Sequence, residues 1–317
     1  MTPQPDAPVT VRDLHVRYGR DGGGVHAVRG IALDVAAGEV YALLGHNGAG
    51  KTSTVEVLEG HRHAASGHVR VLGHDPATAG RELRDRIGIV LQASSIERAL
   101  TVGEALRFYG SVYSRPRSVG ELLDLVGLAG KSDVRIGTLS GGQQRRLDLA
   151  LGIIGSPDLL FLDEPTTGFD PAARRQAWEL VRHLCDGGMT VLLTTHYMDE
   201  AEQLAHRVGV MAAGQLVAEG TPEQLRARVP EATITFRRPP GVALDDLALP
   251  PGAVVADDGT VTIDTAEPTR VLAAITGGAA RHDVELEALT VRRPTLEDVF
   301  LRLSGEQAAG QIDEEQP

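Results

Sequence analysis

Short apolar runs alternate with stretches of helical spacing from Val9 to about Arg228, the rhythm of strands joined by crossover helices in a mostly parallel sheet. Val40-Tyr41-Ala42-Leu43-Leu44 follows Gly38-Glu39 without a polar break, as a strand covered on both faces must. Ile87 to Leu91, Leu159 to Leu162 and Thr190 to Thr195 are the further strands predicted here. Helix starts are equally plain. Thr101 with Glu104, and Ser118 with Glu121, have the spacing of capping boxes, in which side chains satisfy first-turn N–H groups. Asp170-Pro171 sets a cap ahead of a proline at the first helical position, and Gly187-Gly188 closes that helix.

The pattern changes after Val229-Pro230. Ala232 to Phe236 and Thr260 to Asp264 alternate like half-exposed strands. Val284 to Arg293 reads as extended, and Pro294 to Leu303 has helical spacing, with loops rich in Pro, Gly and Asp between. This predicts a small α+β domain over residues 230–304 behind a larger one over 9–229, in keeping with a chain too long for one compact unit. Residues 1–8 are expected to be flexible, and the acidic tail 305–317 disordered.

Composition narrows the partners. Aromatic residues make up 3% of the chain, so the core is built from Leu, Val, Ile and Ala. The formal net charge of −12 and the lack of a long basic run argue against tracking along a nucleic-acid backbone. The single cysteine, Cys185, excludes an intramolecular disulfide and fits a reducing compartment. It falls at a helix end, where a small buried or half-buried thiol is expected. No run approaches the length of a membrane span, and Met1 to Pro8 lacks the apolar segment of a signal peptide. The chain is therefore expected to be cytosolic, with any membrane role arising through a partner.

Gly45-His46-Asn47-Gly48-Ala49-Gly50-Lys51-Thr52-Ser53 leaves the buried strand and opens a helix. Its glycines let successive backbone N–H groups face a phosphate, and the helix start adds free donors. Lys51 can reach β- and γ-phosphates, and the Thr52 hydroxyl can ligate magnesium. The chain has only two lysines, Lys51 and Lys131, among many arginines. A lysine kept here points to a need for a compact ammonium and away from an accidental glycine-rich turn. The glycine spacing is wrong for a dinucleotide fold. Leu159 to Leu162 then delivers Asp163 and Glu164 at its C-terminal end. Asp163 suits the magnesium shell, and Glu164 suits the polarising of an attacking water.

Between these halves stands Leu139-Ser140-Gly141-Gly142-Gln143, followed by a helix-forming run. It is a second anion cradle, with Ser140 at a helix cap and glycine N–H groups able to approach a γ-phosphate. The sequence resembles the signature of ABC ATPases. That resemblance implies an α/β P-loop nucleotide-binding domain with a helical subdomain over about 93–156, and then the α+β domain. It implies ATP and Mg2+ as ligands, and an ATP-dependent homodimer in which Ser140, Gly141, Gly142 and Gln143 serve the opposite subunit's nucleotide. It implies adenine stacking at Tyr18, and γ-phosphate sensing and a magnesium contact at Gln92. It also implies a γ-phosphate contact at His196 and a subunit-contact loop at Gly168-Phe169-Asp170. Phe169 stands where leucine is usual, and the glycine run after Tyr18 lengthens that turn.

His61, His63, His68 and His74 lack regular ligand spacing and read as solvated surface residues. Thr194 to Leu204 and Pro294 to Leu301 resemble the daunorubicin-resistance type of exporter ATPase and its multidrug relatives. The function expected is thus the ATPase of an exporter for a drug-like or lipophilic compound, held peripherally on the inner face of the cell membrane by an integral membrane permease. A motor for another cargo, such as a lipid, polysaccharide or peptide, or an importer motor, is the alternative. A non-transport member is disfavoured, because Gln92 to Leu139 is too short for an inserted coiled coil and only one ATPase domain is present.

Overall fold

Three antiparallel strands with their apolar side chains on one face begin the fold. In the computed structural model, which describes residues 7–19, 24–91, 96–229, 232–239, 241 and 247–302, these are β1 (Val9–Tyr18), β2 (Val25–Val35) and β4 (Ser66–Val71), in the order β2-β1-β4. Val9, Val11, Leu14 and Val16 of β1 are fully buried, and the polar positions between them face outward. Pro8 is also buried, and its carbonyl accepts from the Leu72 N–H at 2.7 Å.

The second sheet has six strands in the order β5-β6-β7-β3-β8-β9. They are β3 (Val40–Leu44), β5 (Ile87–Val90), β6 (Leu159–Asp163), β7 (Thr190–Thr195), β8 (Arg207–Ala212) and β9 (Gln215–Gly220). All pairings are parallel except β8 with β9. Strands β3 and β7 are buried at every position, which is why they read as unbroken apolar or Thr-ended runs. Between the sheets runs α1 (Lys51–Leu58), whose Val55, Val57 and Leu58 share one core with the inner faces of β1 and β2 and with Tyr41, Leu43 and Phe161. A ligand at the start of α1 therefore lies at the strand ends where open parallel sheets place their chemistry.

The segment between β5 and β6 is helical. It holds α3 (Val102–Gly110), α4 (Val119–Leu125), a 3-10 turn (Ile136–Thr138) and α5 (Gly141–Ile153). Both expected capping boxes are formed, at Thr101 with Glu104 and at Ser118 with Glu121. The short α2 (Arg81–Arg84) precedes β5, while α6 (Pro171–Asp186), α7 (Met198–Leu204) and α8 (Pro222–Arg226) follow β6, β7 and β9. Asp170 caps α6 with its Oδ1 on the N–H groups of Ala172 and Ala173, each at 2.9 Å, and lies below the usual carboxylate range because of those bonds. Cys185, in the last turn of α6, is buried with Sγ 2.9 Å from the Gly38 carbonyl, and burial raises its thiol.

The chain divides into two compact units, Met1–Pro222 and Glu223–Pro317. The second has an antiparallel sheet ordered β11-β12-β10-β13, from β10 (Ala232–Arg237), β11 (Val254–Val255), β12 (Thr260–Thr265) and β13 (Thr290–Arg292). Ile234, Phe236, Val261 and Ile263 on one face meet Ile275 and Ala279 of α9 (Pro268–Arg281). The sequence reading did not anticipate α9. The extended stretch expected from Val284 to Arg293 shrinks to β13. A final helix, α10, spans residues 296–302 and buries Leu296, Val299 and Phe300. Of the expected flexible start only Ala7 and Pro8 are among the described residues, and the tail expected to be disordered, residues 305–317, lies wholly outside them.

Candidate active site

The loop from Gly45 to Gly50 turns between β3 and α1 on backbone shapes that only glycine adopts freely. Gly48 has φ +84° with open space where a Cβ would stand, and Gly50, the N-cap of α1, has φ +101° with a Cβ site 2.5 Å from the Ala27 carbonyl oxygen. Gly45 is pinned from the other side, its Cβ site 2.6 Å from the Met211 carbonyl oxygen. His46, Asn47 and Gly48 are exposed, while Ala49, Lys51 and Ser53 are buried and Thr52 is exposed. The N–H groups at this helix start are thus held open to an anion by contacts on both sides.

Lys51 closes the cradle on itself. Its Nζ donates to the Gly45 carbonyl at 2.7 Å and to the His46 carbonyl at 3.2 Å. Burial lowers its ammonium, while the charges of Glu164 and Asp163 act the other way. So the cation on α1 and the acids at the end of β6 feel each other across one site.

Asp163 is the last residue of β6, and its Oδ1 accepts from the Thr194 hydroxyl at 2.5 Å. Glu164, the next residue, has the left-handed φ of +45°, a strained shape for a side chain of this size that needs fixing by neighbours. Its N–H reaches the Thr194 carbonyl at 3.1 Å and the Thr194 hydroxyl at 3.2 Å. Its carboxylate takes the His196 Nδ1 at 2.9 Å on one oxygen and the Thr167 hydroxyl at 3.2 Å on the other. A carboxylate is acceptor-only, so His196 carries its proton on Nδ1.

Arg145 on α5 holds this turn from behind. Buried, it donates from Nε to the Pro165 carbonyl at 3.1 Å and from Nη2 to the carbonyls of Asp163 at 3.3 Å and Glu164 at 3.4 Å. Its Nη1 reaches the Leu91 carbonyl at 2.5 Å. Gln92, the next residue and the expected γ-phosphate sensor, lies outside the described residues.

Ser140 is the N-cap of α5, and its hydroxyl accepts from the Gln143 N–H at 3.3 Å while Gln143 Oε1 accepts from the Ser140 N–H at 3.1 Å. Gly141 and Gly142 have open space at their Cβ positions. Structure therefore gathers Lys51, Asp163, Glu164 and His196 into one site, with Thr52 in the same first turn of α1 as Lys51, and leaves the Ser140 cradle on a separate element. Tyr18 ends β1 and bonds the Ser53 hydroxyl at 2.8 Å.

Three residues escaped the sequence reading. Thr194 is a polar residue inside a fully buried strand, a signal that was available. Arg145 and Arg146 look alike in sequence, yet only Arg145 is buried. Glu59, at the C-cap of α1, is buried, and its carboxyl is pushed up to about 8 by desolvation first and then by the charges of Asp163 and Glu56. His61 lies 3.1 Å from it. His61, His63 and His68 are exposed and His74 is half-buried.

Residues 28–167 match the family model described as ABC transporter, and residues 232–295 match the ABC transporter domain-containing protein-like, C-terminal domain. The chain is 38% identical over 304 residues to the daunorubicin/doxorubicin resistance ATP-binding protein DrrA of Streptomyces peucetius, covering 92% of each chain. It is 37% identical over 306 residues to the Nod factor export ATP-binding protein I of Burkholderia orbicola, covering 94% of this chain and 97% of that one. Among solved structures, cbiO1 from Clostridium perfringens, part of the ABC transporter complex cbiONQ, is similar with a TM-score of 0.63 at 29% identity, covering 70% of this chain and 91% of that one. A dimeric ATP-binding cassette in a post-hydrolysis state with ADP and Pi shares the fold, with a TM-score of 0.60 at 22% identity over 67% of this chain and 98% of that one.

Proposed function

Since the chain belongs to the ATP-binding subunits of ABC transporters, we propose that it is the motor of an exporter, driving a lipophilic, drug-like compound through a separate membrane permease. Its activity is ATP hydrolysis. The observation that carries the site assignment is the 2.9 Å contact between Glu164 and His196 beside Asp163, with Lys51 close enough to feel both acids.

The roles follow from those contacts. Lys51 exchanges two carbonyl partners for β- and γ-phosphate oxygens, so no donor is stranded when the nucleotide enters. Backbone N–H groups at the start of α1 take the remaining phosphate charge. Glu164, fixed at its N–H and at both carboxylate oxygens, orients the attacking water and accepts its proton. His196 donates from Nδ1 to Glu164, and it contacts the γ-phosphate as the imidazolium, whose protonated Nε2 is a second donor.

Magnesium suits the oxygens present. Among the described residues no group of three or more acid, histidine or cysteine side chains forms a metal site. An ion here would use Thr52, Asp163, phosphate oxygens and water, with Gln92 as a further ligand, which is the way magnesium is ordinarily held. Bound there, it neutralises charge on the phosphates.

Identity of 37% to 38% to named resistance and export subunits over nearly the whole chain supports export as the direction. The near-equal match to the Nod factor relatives favours, as a second reading, an exporter of a different compound class. No helix among the described residues is long and apolar enough to cross a membrane, and the likeness to the ATP-binding subunits of transporters supports a peripheral place on the inner membrane face. The test is ATP-dependent uptake of a lipophilic dye into inverted vesicles carrying the full chain and its membrane permease. Uptake that Glu164→Gln abolishes supports the proposal. ATP hydrolysis without uptake of the dye moves the cargo to the second reading, and ATP-driven efflux from those vesicles overturns export.

A further inference from the structure

Tyr18 is clamped at the end of β1. The guanidinium carbon of Arg62 lies 4.2 Å from the centre of its ring. Arg62 is itself aimed by Glu56 of α1, with Nε on Oε2 at 2.6 Å. The Arg62 N–H also donates to the Glu56 carbonyl at 3.0 Å, so the residue is fixed at both its backbone and its side chain. Gly60, with φ +77° and a Cβ site 2.5 Å from the Pro76 carbonyl oxygen, sets the turn that returns Arg62 toward the helix. The Tyr18 hydroxyl bonds Ser53 at 2.8 Å and reaches Glu56 at 3.5 Å. One end of the ring is thus tied to the phosphate-loop helix and one face is covered by a cation, while the residue as a whole stays 37% exposed.

From this geometry we propose that Arg62 is a base-positioning residue, holding the Tyr18 ring as a platform so that the purine of ATP stacks on the ring face that Arg62 leaves open. The proposal rests on the reading of Tyr18 as the adenine contact. A guanidinium suits the task because it is planar, keeps its charge and lies flat on an aromatic face, whereas an ammonium does not. Glu56 keeps that cation in place, and the charge pair is exposed enough that its value is orientation more than stability. The arrangement acts on the base and not on the phosphates.

Binding of two magnesium-loaded probes to the full chain by calorimetry separates these effects: ATP, and inorganic tripolyphosphate, which has no base. Arg62→Gln should weaken ATP about five- to tenfold and leave tripolyphosphate unchanged, and Arg62→Lys should recover part of the loss. Tyr18→Ala, measured beside it, should weaken ATP by at least as much, again without affecting tripolyphosphate. If Tyr18→Ala weakens ATP and Arg62→Gln does not, the platform role is wrong and the adenine reading stands. If Tyr18→Ala has no effect, both fall. Equal weakening of the two probes by Arg62→Gln would make Arg62 a structural or phosphate residue and overturn the proposal.

Discussion

A strained residue is informative about where chemistry is held. Glu164 takes a left-handed backbone at φ +45° and has every polar group engaged by Thr194, His196 or Thr167. Such over-determination stabilises a geometry that the free chain would leave. Glu164→Gln keeps the size and removes the basic oxygen, so ATP binding should persist while turnover falls about 10²- to 10⁴-fold, the span usual for a general base. Phosphate release by the purified full chain or its vesicles measures it, and turnover near wild type would remove Glu164 from its assigned role. Glu59 makes a different claim. Its carboxyl titrates at about 8 when folded against 4.5 for an ordinary glutamate, so between those values the folded protein binds more protons than the unfolded one. Stability must then fall as pH rises through that window, by an upper limit of about 5 kcal/mol if no partner compensates. His61 at 3.1 Å offers some compensation while it is protonated. Glu59→Gln should flatten the profile and be more stable than wild type at pH 8, with little difference near pH 4, as read from urea unfolding midpoints. A parallel profile for both proteins would show that Glu59 is ionised and solvated.

At the level of elements, the site depends on how closely α5 can approach β5. A Cβ on Gly88 of β5 would stand 2.0 Å from the Gly152 carbonyl oxygen, and one on Gly152 of α5 would stand 2.4 Å from Val90. This glycine contact seats the helix whose N-cap is Ser140 and whose Arg145 binds the carbonyls of Asp163, Glu164 and Pro165. Gly152→Val should therefore cost about 1–3 kcal/mol of stability by overpacking. It should also lower turnover more than ATP affinity, because it displaces Arg145 and leaves the phosphate loop intact. Turnover and affinity falling together would mean that α5 does not act through Glu164. Much of this layer could be read beforehand. Strands β3, β6 and β7 show as apolar runs because both their faces are covered, and the caps at Thr101, Ser118 and Asp170 are local chemistry. Helix α9 could not be read in this way. Its Thr276-Gly277-Gly278 resembles a turn, and the helix is supported by the packing of Ile275 and Ala279 on the sheet. Strand β1 was obscured because register shifts between Val11 and Leu14, between Leu14 and His15, and between Val16 and Arg17 break its alternation. The gathering of Lys51, Asp163, Glu164 and His196 was legible from motif order, whereas Arg145 was not, since nothing local separates it from Arg146.

For the whole molecule, the two anion cradles proposed for one chain have unequal equipment. The cradle at Lys51 has a cation, the acids of β6 and the histidine after β7. The cradle at Ser140 has an N-cap hydroxyl and two unobstructed glycines, and its hydroxyl hydrogen-bonds within its own first turn. A second copy related by a two-fold axis would bring each Ser140 cradle to the other's nucleotide, so one interface would complete two sites at once. With formal net charge −12 on each chain, two copies repel at long range, and association then has to come from contacts that only bound nucleotide creates. Dimerisation should accordingly require ATP with magnesium, and it should persist only while the γ-phosphate is intact. Glu164→Gln full chain is the form to test, because it keeps its ATP. Size-exclusion chromatography should show a doubling of mass with magnesium-ATP and none with magnesium-ADP. Ser140→Arg in the same background should stay monomeric while still binding ATP, since the substituted side chain obstructs the Ser140 cradle and leaves the same chain's Lys51 cradle untouched. If the Ser140→Arg protein dimerises as readily, the nucleotide is not shared between copies, and each chain must complete its site with its own residues or with those of the membrane protein.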